Sequence, residues 1–286
     1  MAPVAWDLLC RPKKCGGLNI KGCKPWNVAS VGKLLWQLVT NKEVLWVRWV
    51  HGVYMKICRS IWDHNPPADC SWYWKKINGL KRNMAHWYNG STYTLTGNGA
   101  YSVSSSYNAM LGHMSRSWEM NLVWSGVMLP RHIFVLWLAN QQKLQTKERL
   151  LQMHIPITED VGCCMCALEV LESQQHLFGE CCWVKTMRGA LTRWSDINIP
   201  DMALPETLKW IRRHWKQFRK EVASTMIGAI VYHTWQARNW KIFRQINLSM
   251  DFYIGQIKKE LTERPRMHAE SRRARQCPLL IQRLCS

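Results

Sequence analysis

Four side chains in the stretch CCMCALEVLESQQHLFGEC, residues 163–181, have the types and spacing of a metal site. Cys163 and Cys166 form C-x2-C, a spacing that lets a tight turn aim two thiolates at one ion, and His176 and Cys181 follow as H-x4-C. Three thiolates and one imidazole suit tetrahedral zinc. With all four positions taken by protein, such an ion has no vacancy for substrate or activated water; it is structural, and its binding energy becomes folding energy. The other reading of the same residues is a cluster of buried, reduced thiols. Cys164 and Cys182 are adjacent spares, either of which could replace its neighbour as a ligand. A cysteine nucleophile with His176 as its base is disfavoured, because four candidate ligands at one spot favour metal capture over catalysis.

The chain around these residues must bring them together. On a continuing helix, a histidine and a residue five positions on are about 140° apart, so His176 and Cys181 require the helix to end between them. Gly179 is placed to end it in the left-handed conformation, with Ser173 capping the start of the short helix and Leu177 and Phe178 packing beneath the ion. A helix over Lys147 to Leu151 precedes the site. Another follows it, with Val184, Met187, Leu191 and Trp194 as its apolar stripe and Lys185, Arg188 and Arg193 as a basic surface.

Most of the remaining chain also has helical spacing. Val31, Leu34, Leu35 and Leu38, then Val44, Trp46, Val47 and Val50, recur at three- and four-residue intervals, as two helices broken near Thr40-Asn41. Tyr93 and Leu95, then Tyr101 and Val103, alternate about Gly97-Asn98-Gly99, which predicts a hairpin there. Ser104 is the expected cap of the next helix, and Pro130 fits the first turn of another whose core stripe is Ile133, Phe134, Trp137 and Leu138. A single helix through LKWIRRHWKQFRKEV would bury Leu208, Ile211, Trp215, Phe218 and Val222 and expose Lys209, Arg213, Lys216 and Lys220 as a phosphate-gripping row. The same row also reads as an ordinary solvated face. The segment ERPRMHAESRRARQ, with Arg272, Arg273 and Arg275, is expected to be flexible. The fold class is therefore mainly α with a small β-hairpin, built around a zinc-stabilised helical module.

Charge narrows the partner. The chain carries 39 Lys and Arg against 19 Asp and Glu, a formal net charge of +20, which favours a polyanion such as RNA or DNA. The excess is steepest from Glu206 onward, where 17 basic residues face 6 acidic ones. The longest apolar run, Met226 to Trp235, is too short to span a bilayer, so no membrane partner is expected. Arg11, Lys13 and Lys14 stand where a signal peptide needs its apolar stretch. Twelve scattered cysteines then read as reduced thiols inside the cell, the nucleus included.

The segments AYSVSSSYNAM, VWSGVMLPRHIFVLWLANQQKLQTKERLLQ and CCMCALEVLESQQHLFGECCWVKTMRGALTRW resemble the zinc-binding domain of plant LINE-type (non-LTR) retrotransposon reverse transcriptases. Trp124, Pro130, Phe134, Trp137 and Leu138 match the motif that precedes that family's Cys-Cys-His-Cys cluster, and Cys163, Cys166, His176 and Cys181 match the cluster. Gly179 departs from the family, which usually has an aromatic residue there. The resemblance implies three regions: a helical linker like the post-polymerase segment over 1–90, the zinc-binding domain over 91–196, and a basic helical region with a flexible tail over 197–286. It implies a zinc-binding, nucleic-acid-binding portion of the polyprotein that works with an attached or separate polymerase domain. Adjacent aspartates, which a polymerase needs for two-metal nucleotidyl transfer, occur nowhere in the chain. Asp196, Asp201 and Glu206 lie in a Pro-containing connector rather than on converging strands, so neither a polymerase nor a ribonuclease H activity is expected. The rival expectation is a non-catalytic scaffold or an inactive retroelement fragment.

Overall fold

The computed structural model of the 286-residue chain describes residues 4–40, 43–56, 58, 60–157, 160–166, 168–267 and 277–285. The described residues are helical apart from turns, loops and one two-stranded hairpin, which is the predicted fold class. Packing divides the chain into two compact units, residues 6–116 and residues 117–286 with the first five. Such units follow shared cores, so their limits differ from the motif and composition boundaries at 90 and 196.

The first unit contains α1 (Trp6–Cys10), α2 (Cys23–Thr40), α3 (Leu45–Val53), α4 (Trp72–Gly79), α5 (Lys81–Met84), β1 (Tyr88–Asn89), β2 (Thr92–Tyr93) and α6 (Val103–Met110). The chain breaks after Thr40 as its spacing predicts, and Leu35, Leu38, Val47, Val50, Trp74 and Ile77 share one core. The hairpin lies earlier than expected. Tyr88 pairs with Tyr93 and Asn89 with Thr92 around Gly90, whose φ of 60° suits the first position of a primed turn. Gly97-Asn98-Gly99 instead forms a turn beside it, with the Gly99 carbonyl accepting the Tyr93 N–H at 3.2 Å. Both stretches have turn chemistry, and burial chooses between them: Tyr93 is fully buried against Tyr88 and Tyr101, and the Tyr101 hydroxyl donates to the Ala29 carbonyl at 2.6 Å. The cap of α6 is also corrected, from Ser104 to Ser102, whose Oγ accepts the Ser105 N–H at 3.2 Å.

The second unit contains α7 (Met120–Val123), α8 (Pro130–Asn140), α9 (Lys147–Gln152), α10 (Cys182–Ser195), α11 (Leu204–His214), α12 (Gln217–Arg244), α13 (Met250–Met267) and α14 (Pro278–Cys285). Helix α12 is its axis, with α8, α10, α11 and α13 packed against it. Residues 222–231 are buried on every side, which explains an apolar run that is apolar all round. No helix among the described residues is long and apolar enough to cross a membrane.

Two faces differ from the periodicity. Helix α8 begins at Pro130 as predicted, but it buries His132, Leu136, Trp137 and Ala139, while Phe134 is 48% exposed. Periodicity counted only apolar residues and so missed a face that turns inward around a histidine. The predicted helix over 208–222 is two helices, because Trp215 and Lys216 are extended (ψ 139° and 162°). Leu208, Ile211, Phe218 and Val222 are nevertheless all fully buried. Arg272, Arg273 and Arg275 lie outside the described residues. Residues 263–267, the start of the segment expected to be flexible, are instead the end of helix α13, and neither α13 nor α14 has a counterpart in the sequence-based assignment.

Candidate metal centre

The site is built on a short antiparallel loop. The Cys163 N–H donates to the Val170 carbonyl at 2.8 Å and the Glu172 N–H to Val161 at 3.1 Å, around a single bridge between Gly162 and Leu171. Cys163 and Cys166 sit toward its tip, on the turn that C-x2-C spacing requires. Buried Lys147, at the start of α9, holds one strand: its Nζ donates to the Asp160 and Gly162 carbonyls at 2.6 and 2.9 Å.

The second pair of ligands comes from a different device. Ser173 caps the turn as predicted, its Oγ accepting the His176 N–H at 3.0 Å. Residues His176–Glu180 then form a single π-turn, closed by the Cys181 N–H donating to the His176 carbonyl at 2.8 Å. This i-to-i+5 bond answers the H-x4-C spacing, since it returns the chain to the histidine after five residues. The left-handed ending expected at Gly179 is therefore corrected: Gly179 is absent from the positive-φ residues, and it is needed for close approach instead. A Cβ there would lie 2.9 Å from Ala203 Cα and 3.2 Å from the Met202 carbonyl oxygen. Gly179→Ala is expected to destabilise the protein by about 1–3 kcal/mol in urea unfolding, because backbone cannot yield as a side chain can. Gly189→Ala is the control. Its Cβ would meet only the flexible Arg193 Nη1 at 3.6 Å, and a helix-interior alanine should stabilise by up to ~1 kcal/mol.

These elements converge the four predicted side chains. One ligand atom from each of Cys163, Cys166, His176 and Cys181 lies within 4.8 Å of the others, and all but Cys166 are buried. Cys163 Sγ and Cys181 Sγ are 4.0 Å apart, and Cys166 Sγ is 3.3 Å from His176 Nε2. Tetrahedral zinc with ordinary bond lengths needs sulfur atoms about 3.8 Å apart and sulfur about 3.6 Å from nitrogen, so both of these separations fit that ion to within a few tenths of an ångström. The spare cysteines stand apart: Cys164 faces Glu172 with Sγ 4.0 Å from Oε2, and Cys182 is exposed. Electrostatics also favour a thiolate here. The Cys181 thiol, giving its hydrogen bond to Cys163, pulls the Cys163 pKa down to about 5 against the effect of burial, with help from the backbone N–H groups of Met165 and Cys166. The same bond, with burial, pushes Cys181 up.

Three charged residues that the motif does not reveal hold this site to the helices. Glu172 is fully buried, accepts the Lys147 N–H at 3.1 Å, and takes Arg238 Nη2 at 2.7 Å and Nε at 3.1 Å. Arg188, expected on a basic surface, is 2% exposed and donates instead to the carbonyls of Phe178 (2.9 Å) and Pro200 (3.0 Å). A buried arginine and an exposed one look alike in composition; here one carbonyl within the π-turn and one in the connector after α10 provide the partners. Lys185 and Arg193 are exposed.

Lys209 and Arg213 are exposed on α11, Lys216 is exposed at the junction, and Lys220 is half-buried on α12. The break between the helices means that they are not one helical row. Lys209 Nζ also pairs with Glu206 at 2.8 Å.

Residues 101–187, which include all four cluster residues, match the family model described as zinc-binding in reverse transcriptase. The chain is also 42% identical over 43 residues to an Arabidopsis thaliana protein provisionally named a ribonuclease H protein. That match covers 15% of this chain and 7% of the relative's length. No solved structure matches the chain. Both similarities fit a retrotransposon-derived protein.

Proposed function

We propose that this chain is the zinc-bearing, nucleic-acid-holding portion of a plant LINE-type reverse transcriptase, with a structural zinc held by Cys163, Cys166, His176 and Cys181. The convergence of these four donors, inside the stretch that matches a reverse-transcriptase zinc-binding region, carries the proposal. When bound, the ion supplies a cross-link between the 161–172 loop and the π-turn. It supplies no reaction centre, since protein fills every position of a Cys3His site. The protein's own contribution is a rigid support for basic side chains, and the absence of adjacent aspartates from the sequence supports a non-catalytic role. RNA or DNA is the partner, held for an attached or separate polymerase domain, and the setting is intracellular, including the nucleus. Net charge and the exposure of Lys185, Arg193, Lys209, Arg213 and Lys216 support this.

Binding to single-stranded RNA should therefore fall steeply with salt. Four or five phosphate contacts give a slope of roughly −3 in log affinity against log salt, at about −0.7 per neutralised phosphate. The quadruple Gln variant of Lys209, Arg213, Lys216 and Lys220 should bind several-fold more weakly, with a flatter slope and unchanged metal content. An unchanged slope would move the grip to Lys185 and Arg193 beside the metal loop. No binding at low salt, with tight association to a polymerase fragment, would replace this proposal with the scaffold.

A further inference from the structure

A second set of metal-ligating side chains lies in the core of the same unit, on three helices that carry none of the cysteine cluster. His132 on α8, His233 on α12 and Glu260 on α13 place one donor atom each within 4.8 Å of the other two. Both imidazoles turn their Nε2 atoms to one carboxylate oxygen: Glu260 Oε2 lies 3.3 Å from His132 and 3.0 Å from His233. Both histidines are almost wholly buried and Glu260 is largely so. The rings pack on each other with centroids 5.6 Å apart.

We propose that His132, His233 and Glu260 form a second divalent transition-metal site, with zinc as its probe ion. Tetrahedral bonds of ordinary length put nitrogen and oxygen donors about 3.3 Å apart, close to both distances found here. Two imidazoles and a carboxylate are a borderline donor set that suits zinc and related ions rather than calcium or magnesium. The carboxylate is also oriented as a ligand should be. Its other oxygen, Oε1, is held by the half-exposed Arg131 guanidinium, which leaves Oε2 to the imidazoles and keeps one side of the cluster near solvent. Arg131 is itself set over the Tyr232 ring, 5.2 Å from the centroid.

Three protein ligands distinguish this site from the cysteine cluster, because they leave a coordination position for water or an anionic ligand. An ion there would tie α8, α12 and α13 together where sequence periodicity shows only an apolar helix interrupted by histidine. Each imidazole must be neutral at Nε2 to act as a ligand, its remaining proton lying on Nδ1, so protons compete with the ion and uptake weakens as pH falls.

The test is the metal content of the reduced full-length protein after zinc loading, combined with cobalt substitution. The wild type should hold about two zinc ions per chain, and Glu260→Gln and His233→Gln about one each, since each removes one of three ligands. Cobalt separates the sites. Only the cysteine cluster gives an intense thiolate-to-cobalt absorption band, so the band should persist in both variants while the weaker non-thiolate absorption is lost. A wild type with one zinc, lost on Cys166→Ser and unchanged by Glu260→Gln, overturns the second site and leaves the trio as a hydrogen-bonded cluster. A wild type whose single metal gives no thiolate band overturns the cysteine-cluster assignment instead and leaves the second site standing. If a variant loses the thiolate band and so has not folded, the wild-type stoichiometry alone decides: one ion per chain refutes the second site.

Discussion

Removing the ion with a strong chelator, or replacing Cys166 by serine, is expected to release the metal and loosen the whole stretch from α9 into α10. This is the largest effect anticipated. Structural zinc contributes about 10–16 kcal/mol in small zinc peptides, as much as the ~5–15 kcal/mol that stabilises an entire domain, so the local fold cannot absorb its loss. The 161–172 loop has few alternatives: among the described residues a single bridge and two backbone hydrogen bonds join its two sides. Amide hydrogen exchange should report the change at Cys163, Glu172 and Cys181, whose N–H groups bond to Val170, Val161 and His176. Amides in the buried 222–231 segment of α12 should keep more of their protection. Cys164→Ser, Cys182→Ser and Cys277→Ser should retain the ion. Intact protection at near-zero metal content would leave the thiol cluster as the better description, and loss of metal in Cys164→Ser or Cys182→Ser would reassign the ligands.

Glu172→Ala is expected to cost about 3–5 kcal/mol, since it strands the Arg238 guanidinium in the core. Arg238→Ala should cost a similar amount for the converse reason. Glu172 is 0% exposed and Arg238 3%, so water cannot replace the lost partner in either variant. Glu172 also joins three elements: its side chain accepts from Arg238 of α12 and from the Lys147 N–H of α9, and its own N–H closes the 161–172 loop. The double variant with leucine at both positions should lose much less than the sum of the single changes, because no charge is then left unpaired. Chemical denaturation of the zinc-loaded protein measures all three. Single-variant costs below about 1 kcal/mol, the range of exposed ion pairs, would show that the pair is solvated.

The helices and the metal cluster were legible because their signals are local. Pro130 starts a helix by its own fixed φ, Val184, Met187 and Leu191 declare a face through their spacing, and C-x2-C with H-x4-C limits how four donors can meet. Local signals failed where two segments offered the same chemistry. The hairpin expected around Gly97-Asn98-Gly99 forms instead around Gly90, which also has turn chemistry, with Tyr88 pairing to the fully buried Tyr93. They failed again where a polar residue faces inward. Arg188 read as part of a basic surface and the apolar period assigned His132 no place, yet each is buried with partners outside its own helix: the Phe178 and Pro200 carbonyls for one, Glu260 for the other.

By itself, the sequence determined the helical class, the basic character and the set of residues able to hold an ion, because composition, period and ligand spacing are properties of adjacent residues. Tertiary structure alone decided which cysteine of each doublet turns inward, why position 179 must be glycine, and that Glu172 meets Arg238 across 66 residues of chain. It also decided the meeting of His132, His233 and Glu260. The physical reason is burial. A charge or imidazole removed from water needs a partner, and that partner is specified by which helices pack around α12 rather than by any neighbour in the chain.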